Sequence, residues 1–269
     1  MARRTVLPPS SLSRRDRAIL SDLARVRLLT GSQLERLHFS HISTANARGS
    51  ARRRSLGRLV TQSWVTTLPR RVGGERAGSA GLIYSLDSRA HRDRPLWDGA
   101  VDSTSSQRIR RPWAIGWMFV RHTLDVAELY VRLREAERRR ELRLMTFDTE
   151  PASWFSPDGG AVLKPDAYVV LENAGWERHW WIEVDRSTES LPTLRRKLGR
   201  YVAAYEGGVP GPDDVLPRVL VTVPTQHRAD QVRHLAKQLQ GDAGTLLAIS
   251  RFDDAAVLLP GEGARPPPQ

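Results

Sequence analysis

The chain has 269 residues, of which 40% are hydrophobic, and it carries 42 Lys+Arg against 30 Asp+Glu. That composition supports a packed core and excludes wholesale disorder. The absence of cysteine excludes a disulfide scaffold, a thiolate zinc site and a cysteine nucleophile. No apolar run reaches the roughly 20 residues that cross a bilayer, and the start MARRTVLPPSS has no signal-like apolar stretch, so a cytoplasmic protein with no membrane partner is expected.

The charge is uneven. Residues 1–111 hold 22 Arg and 8 acidic residues, whereas residues 112–269 are close to neutral. An excess of this kind in one part points to an acidic polymer as its partner, most commonly nucleic acid. Only Lys164, Lys197 and Lys237 are lysines; the other basic residues are arginines.

In chain order, Ser13 is placed to cap a helix through Arg14–Arg25, with Ile19, Leu20, Leu23 and Val26 as its apolar stripe. Leu28-Leu29-Thr30-Gly31 interrupts it, and residues 32–37 form a short second helix in the manner of a helix-turn-helix. A third helix opens at Ser43-Thr44-Ala45-Asn46 and runs to Val60, burying Leu56, Leu59 and Val60. Arg48, Arg52, Arg53, Arg54 and Arg58 lie largely off that edge, as in a helix that enters a DNA groove. Strands at 64–71 and 82–86 flank a Gly-rich loop, making a wing in which Arg70, Arg71 and Arg76 would contact phosphates. The unit reads as a winged helix over residues 1–90 that binds double-stranded DNA; a protein–protein module is the alternative. Residues 91–111 read as a linker.

Residues 112–258 read as a second domain. Trp113–Arg140 is a long helix apolar on two sides, with Val120, Leu124, Ala127 and Val131 on one and Val126, Leu129 and Leu133 on the other. Strands follow at 141–147, 167–171 and 179–185, then a helix at 190–206, a strand at 218–223, a helix at 227–240 and a strand at 245–252. This order predicts a mixed sheet flanked by helices, an α+β or α/β domain. Trp180 and Trp181 both face inward only if both sheet faces are covered. Residues 259–269, with three consecutive prolines, read as a disordered tail.

Three carboxylates stand out. Asp166 opens one strand, and Glu183 and Asp185 are two apart on the next, so alternation puts the latter two on one face. Such oxygen-rich clusters suit Mg²⁺ or Mn²⁺, which can activate a phosphodiester for hydrolysis. Lys197 sits at the border of the apolar face of the following helix and can point toward the cluster. The plain alternative is that Asp166 caps a turn while Glu183 and Asp185 pair with Arg186, Arg195 or Arg196. His122 shares a helix face with Val126, Leu129 and Leu133 and reads first as a core residue; His227 and His234 read as surface.

Three stretches carry a resemblance: Lys164-Pro165-Asp166-Ala167-Tyr168, Trp181-Ile182-Glu183-Val184-Asp185-Arg186-Ser187-Thr188-Glu189-Ser190, and Lys197-Leu198-Gly199-Arg200-Tyr201. Together with His122-Thr123-Leu124-Asp125-Val126 and the winged-helix front, they resemble the replication-relaxation family of plasmids and mobile elements. The resemblance implies a second domain like the PD-(D/E)xK nucleases. Pro165-Asp166 would be the PD element and Glu183 the acidic position. Asp185 stands where the lysine is expected, and Lys197 where a lysine migrated to the next helix would stand. His122 and Glu128 are further ligand candidates on the long helix. The implied role is DNA processing in replication, relaxation or mobilisation, with replication or mobilisation proteins and a second copy of the chain as expected partners. Two alternatives remain: a catalytically inactive accessory of the same fold, and a winged-helix transcriptional regulator with a sensory C-terminal domain.

Overall fold

The computed structural model describes residues 8–73, 75–98, 116–156, 162–239, 241 and 243–261, leaving aside the side chains of residues 70, 71 and 75–77. The chain divides into two compact units, Met1–Val131 and Arg132–Gln269. The boundary falls inside a long helix rather than in the 91–111 segment.

The first unit begins with α1 (Arg14–Val26), α2 (Gly31–His38) and α3 (Ala45–Thr61). Both α1 and α2 start with a reciprocal capping box, Ser13 with Asp16 and Thr30 with Gln33, which satisfies two otherwise orphaned amides at each helix start. Gly31 is required where it stands, because a Cβ there would lie 2.4 Å from the Ser79 carbonyl oxygen. Strands β1 (Leu29–Thr30), β2 (Val65–Arg71) and β3 (Leu82–Leu86) form an antiparallel sheet in the order β1-β3-β2. Two short helices, α4 (Ser88–Arg92) and α5 (Arg94–Trp97), reach into the first part of the expected 91–111 linker. The reason is local: Trp97 is buried and donates its indole N–H to the Ala90 carbonyl at 2.8 Å. The remainder of the expected linker lies outside the described residues.

Helix α6 (Trp117–Arg138) packs its Val120 and Leu124 against Leu28, Leu68 and Ile83 within the first unit. Polar contacts reinforce this seat. Tyr130 donates to Asp22 at 2.6 Å, and Glu128 accepts from Arg36 at 2.7 Å and from Gln33 at 3.0 Å.

The second unit is a five-stranded mixed sheet in the order β4-β5-β6-β7-β8. Strands β4 (Arg143–Thr149), β5 (Ala167–Asn173) and β6 (Trp176–Val184) run antiparallel; β7 (Arg218–Val223) and β8 (Leu247–Arg251) continue parallel to β6. The β5–β6 connection is Ala174-Gly175, both with positive φ (53° and 79°), the backbone that two-residue hairpins require. The parallel links pass through α7 (Leu191–Glu206), α8 (Gln226–Lys237) and the short α9 (Ala243–Leu246). Residues 245 and 246, expected to begin the last strand, belong to α9, and β8 starts at Leu247.

Sheet alternation builds the core. Tyr168, Val170, Trp181, Val219, Val221 and Val223 meet Leu194, Leu198 and Tyr201 of α7 and Val232 and Leu235 of α8. Val169, Leu171, Ile182 and Leu220 on the opposite face are fully buried as well. Both faces are therefore covered, which is why Trp180 and Trp181 are both inside. The expected tail beyond Gly261 lies outside the described residues.

Candidate functional site

The site of the second unit forms where β5 begins and β6 ends. Asp166 directly precedes β5, and its amide donates to the Ile182 carbonyl at 2.9 Å. Its own Oδ2 accepts the Val184 amide at 2.7 Å. Asp166 is thus pinned to the last residues of β6 through both its backbone amide and its side chain. Glu183 is on the same sheet face as Trp181, turned toward α7, and is 1% exposed.

Helix α7 supplies the partners. Ser190 caps its start, and Leu194, Leu198 and Tyr201 form its buried face. Lys197 borders that face, and its Nζ forms an ion pair with Glu183 Oε2. One turn later, Tyr201 donates its hydroxyl to Glu183 Oε1 at 2.5 Å. Residues four apart on a helix share an edge, so two groups of α7 grip the two oxygens of one carboxylate.

Electrostatics follow from this crowding. Burial, then the nearby Asp166 carboxylate, push Glu183 up to about 8 against the pull of Lys197 and Tyr201. Burial works against the Lys197 ammonium, but Glu183 and Asp166 outweigh it and raise its pKa. Burial and Glu183 raise the Tyr201 phenol, which stays a proton donor. A buried carboxylate whose ionisation is disfavoured by a neighbouring one invites a cation.

Asp185 does not share this arrangement. It follows β6 and is held by Arg228 Nε of α8 at 2.6 Å and by the Ser187 amide at 2.7 Å. Arg228 also donates to the Glu189 carbonyl at 2.8 Å, so the pair braces the loop between β6 and α7. Asp185 thus pairs with Arg228, which is not one of the expected Arg186, Arg195 and Arg196, because α8 packs beside α7 and brings that guanidinium to the strand end. Among the described residues, no group of three or more His, Asp and Glu side chains is arranged to hold a metal ion. What the site offers is two carboxylates, Asp166 and Glu183. That set fits Mg²⁺ or Mn²⁺, since Mg²⁺ keeps most of its waters and takes one or two protein carboxylates. His122 and Glu128 lie on the stretch of α6 that belongs to the first unit, where Glu128 is engaged by Arg36 and Gln33.

The arginines of α3 separate into two kinds. Arg52 is buried, contrary to the expectation that it lies off the packed edge. It falls in line with Gly49, Leu56 and Leu59, and pairs with Glu35 of α2 at 2.9 Å and with Ser79 at 3.1 Å. Arg48 donates to the Ile42 carbonyl at 3.0 Å and approaches Glu35, and Arg58 satisfies the buried Asp16 at 2.7 Å. Arg53 and Arg54 are exposed, and Arg53 donates to the Ser50 hydroxyl at 2.9 Å. The Arg70, Arg71 and Arg76 side chains lie outside the described residues.

The sequence alone does not single out Arg228, and it names Tyr201 only as the end of the Lys197-Leu198-Gly199-Arg200-Tyr201 stretch. Its spacing of four from Lys197 was the available signal. Arg228 had none, because its partner is 43 residues away in the chain.

The fold and site define a mixed α+β protein carrying a buried carboxylate pair with a lysine supplied by the following helix. The replication-relaxation family model matches residues 20–219, from within α1 to the start of β7 and including Asp166, Glu183, Lys197 and Tyr201. The chain belongs to the replication-relaxation family, which associates it with plasmid or mobile-element replication. No curated protein and no solved structure matches it. Among the described residues, no helix is long and apolar enough to cross a membrane.

Proposed function

We propose that this chain is a DNA-processing protein of plasmid or mobile-element replication, whose first unit is a winged helix that holds duplex DNA and whose second unit is a PD-(D/E)xK-like nuclease. The observation that carries the reading is the meeting of Lys197 with Glu183 beside Asp166. A lysine from a helix has taken the place left by Asp185, so the three groups that phosphodiester hydrolysis needs converge although their spacing in the chain does not follow the familiar motif.

Asp166 and Glu183 would hold the divalent ion, Mg²⁺ or Mn²⁺, and when bound it supplies a Lewis acid beside the scissile phosphate. The chain does the rest. The Val184 amide fixes the Asp166 carboxylate, and Tyr201 fixes that of Glu183. Lys197 offers an ammonium to the phosphate, where negative charge grows as water adds to phosphorus and the ester P–O bond breaks. On the duplex, Arg53 and Arg54 of α3 are the exposed cations that support groove entry.

A second reading, an inactive accessory of the same fold, is favoured by one observation: Asp185 is committed to Arg228, and only two carboxylates are left. Plasmid nicking separates the two. Supercoiled DNA is incubated with Mg²⁺ or Mn²⁺ and the wild type, Asp166→Ala or Lys197→Ala. Metal-dependent relaxation by the wild type, lost in both variants, is the expected result. Tight plasmid binding without cleavage by the wild type would establish the accessory.

A further inference from the structure

The loop after β4 carries a feature that hydrolysis does not use. Trp154 is 43% exposed, yet its backbone is firmly placed. The buried Ser153 hydroxyl donates to the Pro165 carbonyl at 2.6 Å, and Phe155 and Leu163 exchange backbone bonds at 2.9 and 2.8 Å. The indole N–H reaches Glu150 at 3.4 Å, and Glu150 is close enough to Tyr201 to raise its phenol. The Lys164 ammonium lies 4.5 Å from the indole ring centre. Lys164 is exposed and stands two residues before Asp166. A flat aromatic surface with a cation on it is therefore anchored at the rim of the carboxylate site.

Further cations lie along α7. Arg200 shares the Lys197 edge of α7, three residues on, and Arg196 precedes Lys197. Both are exposed, and among the described residues Arg200 has no ion-pair or hydrogen-bond partner. An aromatic face next to backbone-binding cations is the arrangement by which proteins hold single-stranded nucleic acid: bases stack on the ring and phosphates meet the charges.

We infer that Trp154 and Lys164 form a stacking subsite for an unpaired nucleobase, so that the strand presented to Asp166 and Glu183 is single-stranded or locally unpaired. The inference rests on the nuclease reading for its substrate, but its test needs no cleavage. Indole–base stacking is sequence-tolerant, so the subsite selects strandedness rather than sequence. In a duplex the base faces are taken up by neighbouring base pairs, and Trp154 has nothing to stack on.

The experiment uses the full chain in EDTA. Anisotropy is read on fluorescein-labelled oligothymidylate, on an abasic oligomer with the same number of phosphates, and on a duplex of the same length. Trp154→Ala should weaken oligothymidylate binding about tenfold, within the range expected for one lost base stack, with Trp154→Phe retaining most of the affinity. Binding to the abasic oligomer and the duplex should not change. In a companion measurement, oligothymidylate bearing 5-iodouracil is photocrosslinked to the wild type and the adduct is mapped; Trp154 should carry it. An unchanged oligothymidylate affinity with crosslinks confined to the first unit overturns the inference. Equal losses on all three ligands also overturn it, showing Trp154 to be a structural residue or a contact for something other than a base. A failed nicking assay would leave these results unaffected, so the two readings fail separately.

Discussion

The Tyr201 hydroxyl donates a hydrogen bond to Glu183 Oε1 at 2.5 Å, from the middle of α7 to the end of β6. The contact joins helix to sheet at a place where Trp181 and Tyr201 also pack ring against ring, 5.4 Å between centroids. With Lys197 on the other oxygen, it fixes the direction of a buried carboxylate.

Tyr201→Phe isolates that bond, since the ring and its packing on Trp181 remain. Losing this bond and leaving a buried Glu183 oxygen without its donor should cost about 1–3 kcal/mol, read as a lowered thermal midpoint. Mn²⁺ affinity should fall as well, measured by calorimetry. An unchanged midpoint would show that Lys197 alone positions Glu183.

The pH dependence of stability should report Glu183. Its folded-state pKa is raised to about 8 from 4.5, so the folded chain binds this proton more tightly than the unfolded chain. The resulting stability is full below the unfolded value and is lost as pH rises through about 8. Glu183→Gln mimics the protonated side chain and removes the effect. In EDTA, the wild-type midpoint should therefore drop relative to the variant between about pH 5 and pH 8. Adding Mn²⁺ should oppose that drop, because a cation favours the ionised carboxylates. Parallel pH profiles of the two proteins would contradict this account.

Asp185→Asn should act on folding and not on metal. Removing one charge of the buried Asp185–Arg228 pair leaves the other uncompensated, at a cost of about 3–5 kcal/mol. Denaturant unfolding measures the loss, and Mn²⁺ titration of the folded variant should match the wild type. A large loss of Mn²⁺ affinity in the folded variant would return Asp185 to the ligand set.

The arginines of α3 should separate in the same way. Arg53→Ala with Arg54→Ala should leave the fold intact and reduce the slope of log affinity for duplex DNA against log salt by about 2. Arg52→Ala should instead destabilise the first unit by about 1–3 kcal/mol, because Glu35 loses the nearer of its two guanidinium partners and the buried Arg52 side chain is removed. Salt titrations and melting curves on both variants test the division; an unchanged slope for the double variant would move the DNA contact elsewhere.

Much of this architecture is legible in the residues. The Ser13 and Thr30 caps, the stripe of Ile19, Leu20 and Leu23 and the apolar run at 218–223 are local signals that place helices and strands close to where they occur. The first unit's helix–strand order and the order of strands and helices in the second both follow from such signals. Of the site, Asp166, Glu183 and Lys197 are nameable because the hairpin brings its two strands together by short-range pairing, and because Lys197 sits at a face border.

What periodicity cannot convey is which partner a charged residue meets across the chain. Arg52 and Arg53 are adjacent and identical in kind, yet one is buried against Glu35 and the other faces solvent. Asp185 and Glu183 share an alternation, yet the end of β6 sends one to Arg228 and the other to Lys197 and Tyr201. Backbone hydrogen bonding and apolar burial act over a few residues and leave their period in the sequence. Pairing a charge, by contrast, depends on distances between elements remote in the chain, and those distances exist only once the helices have packed on the sheet.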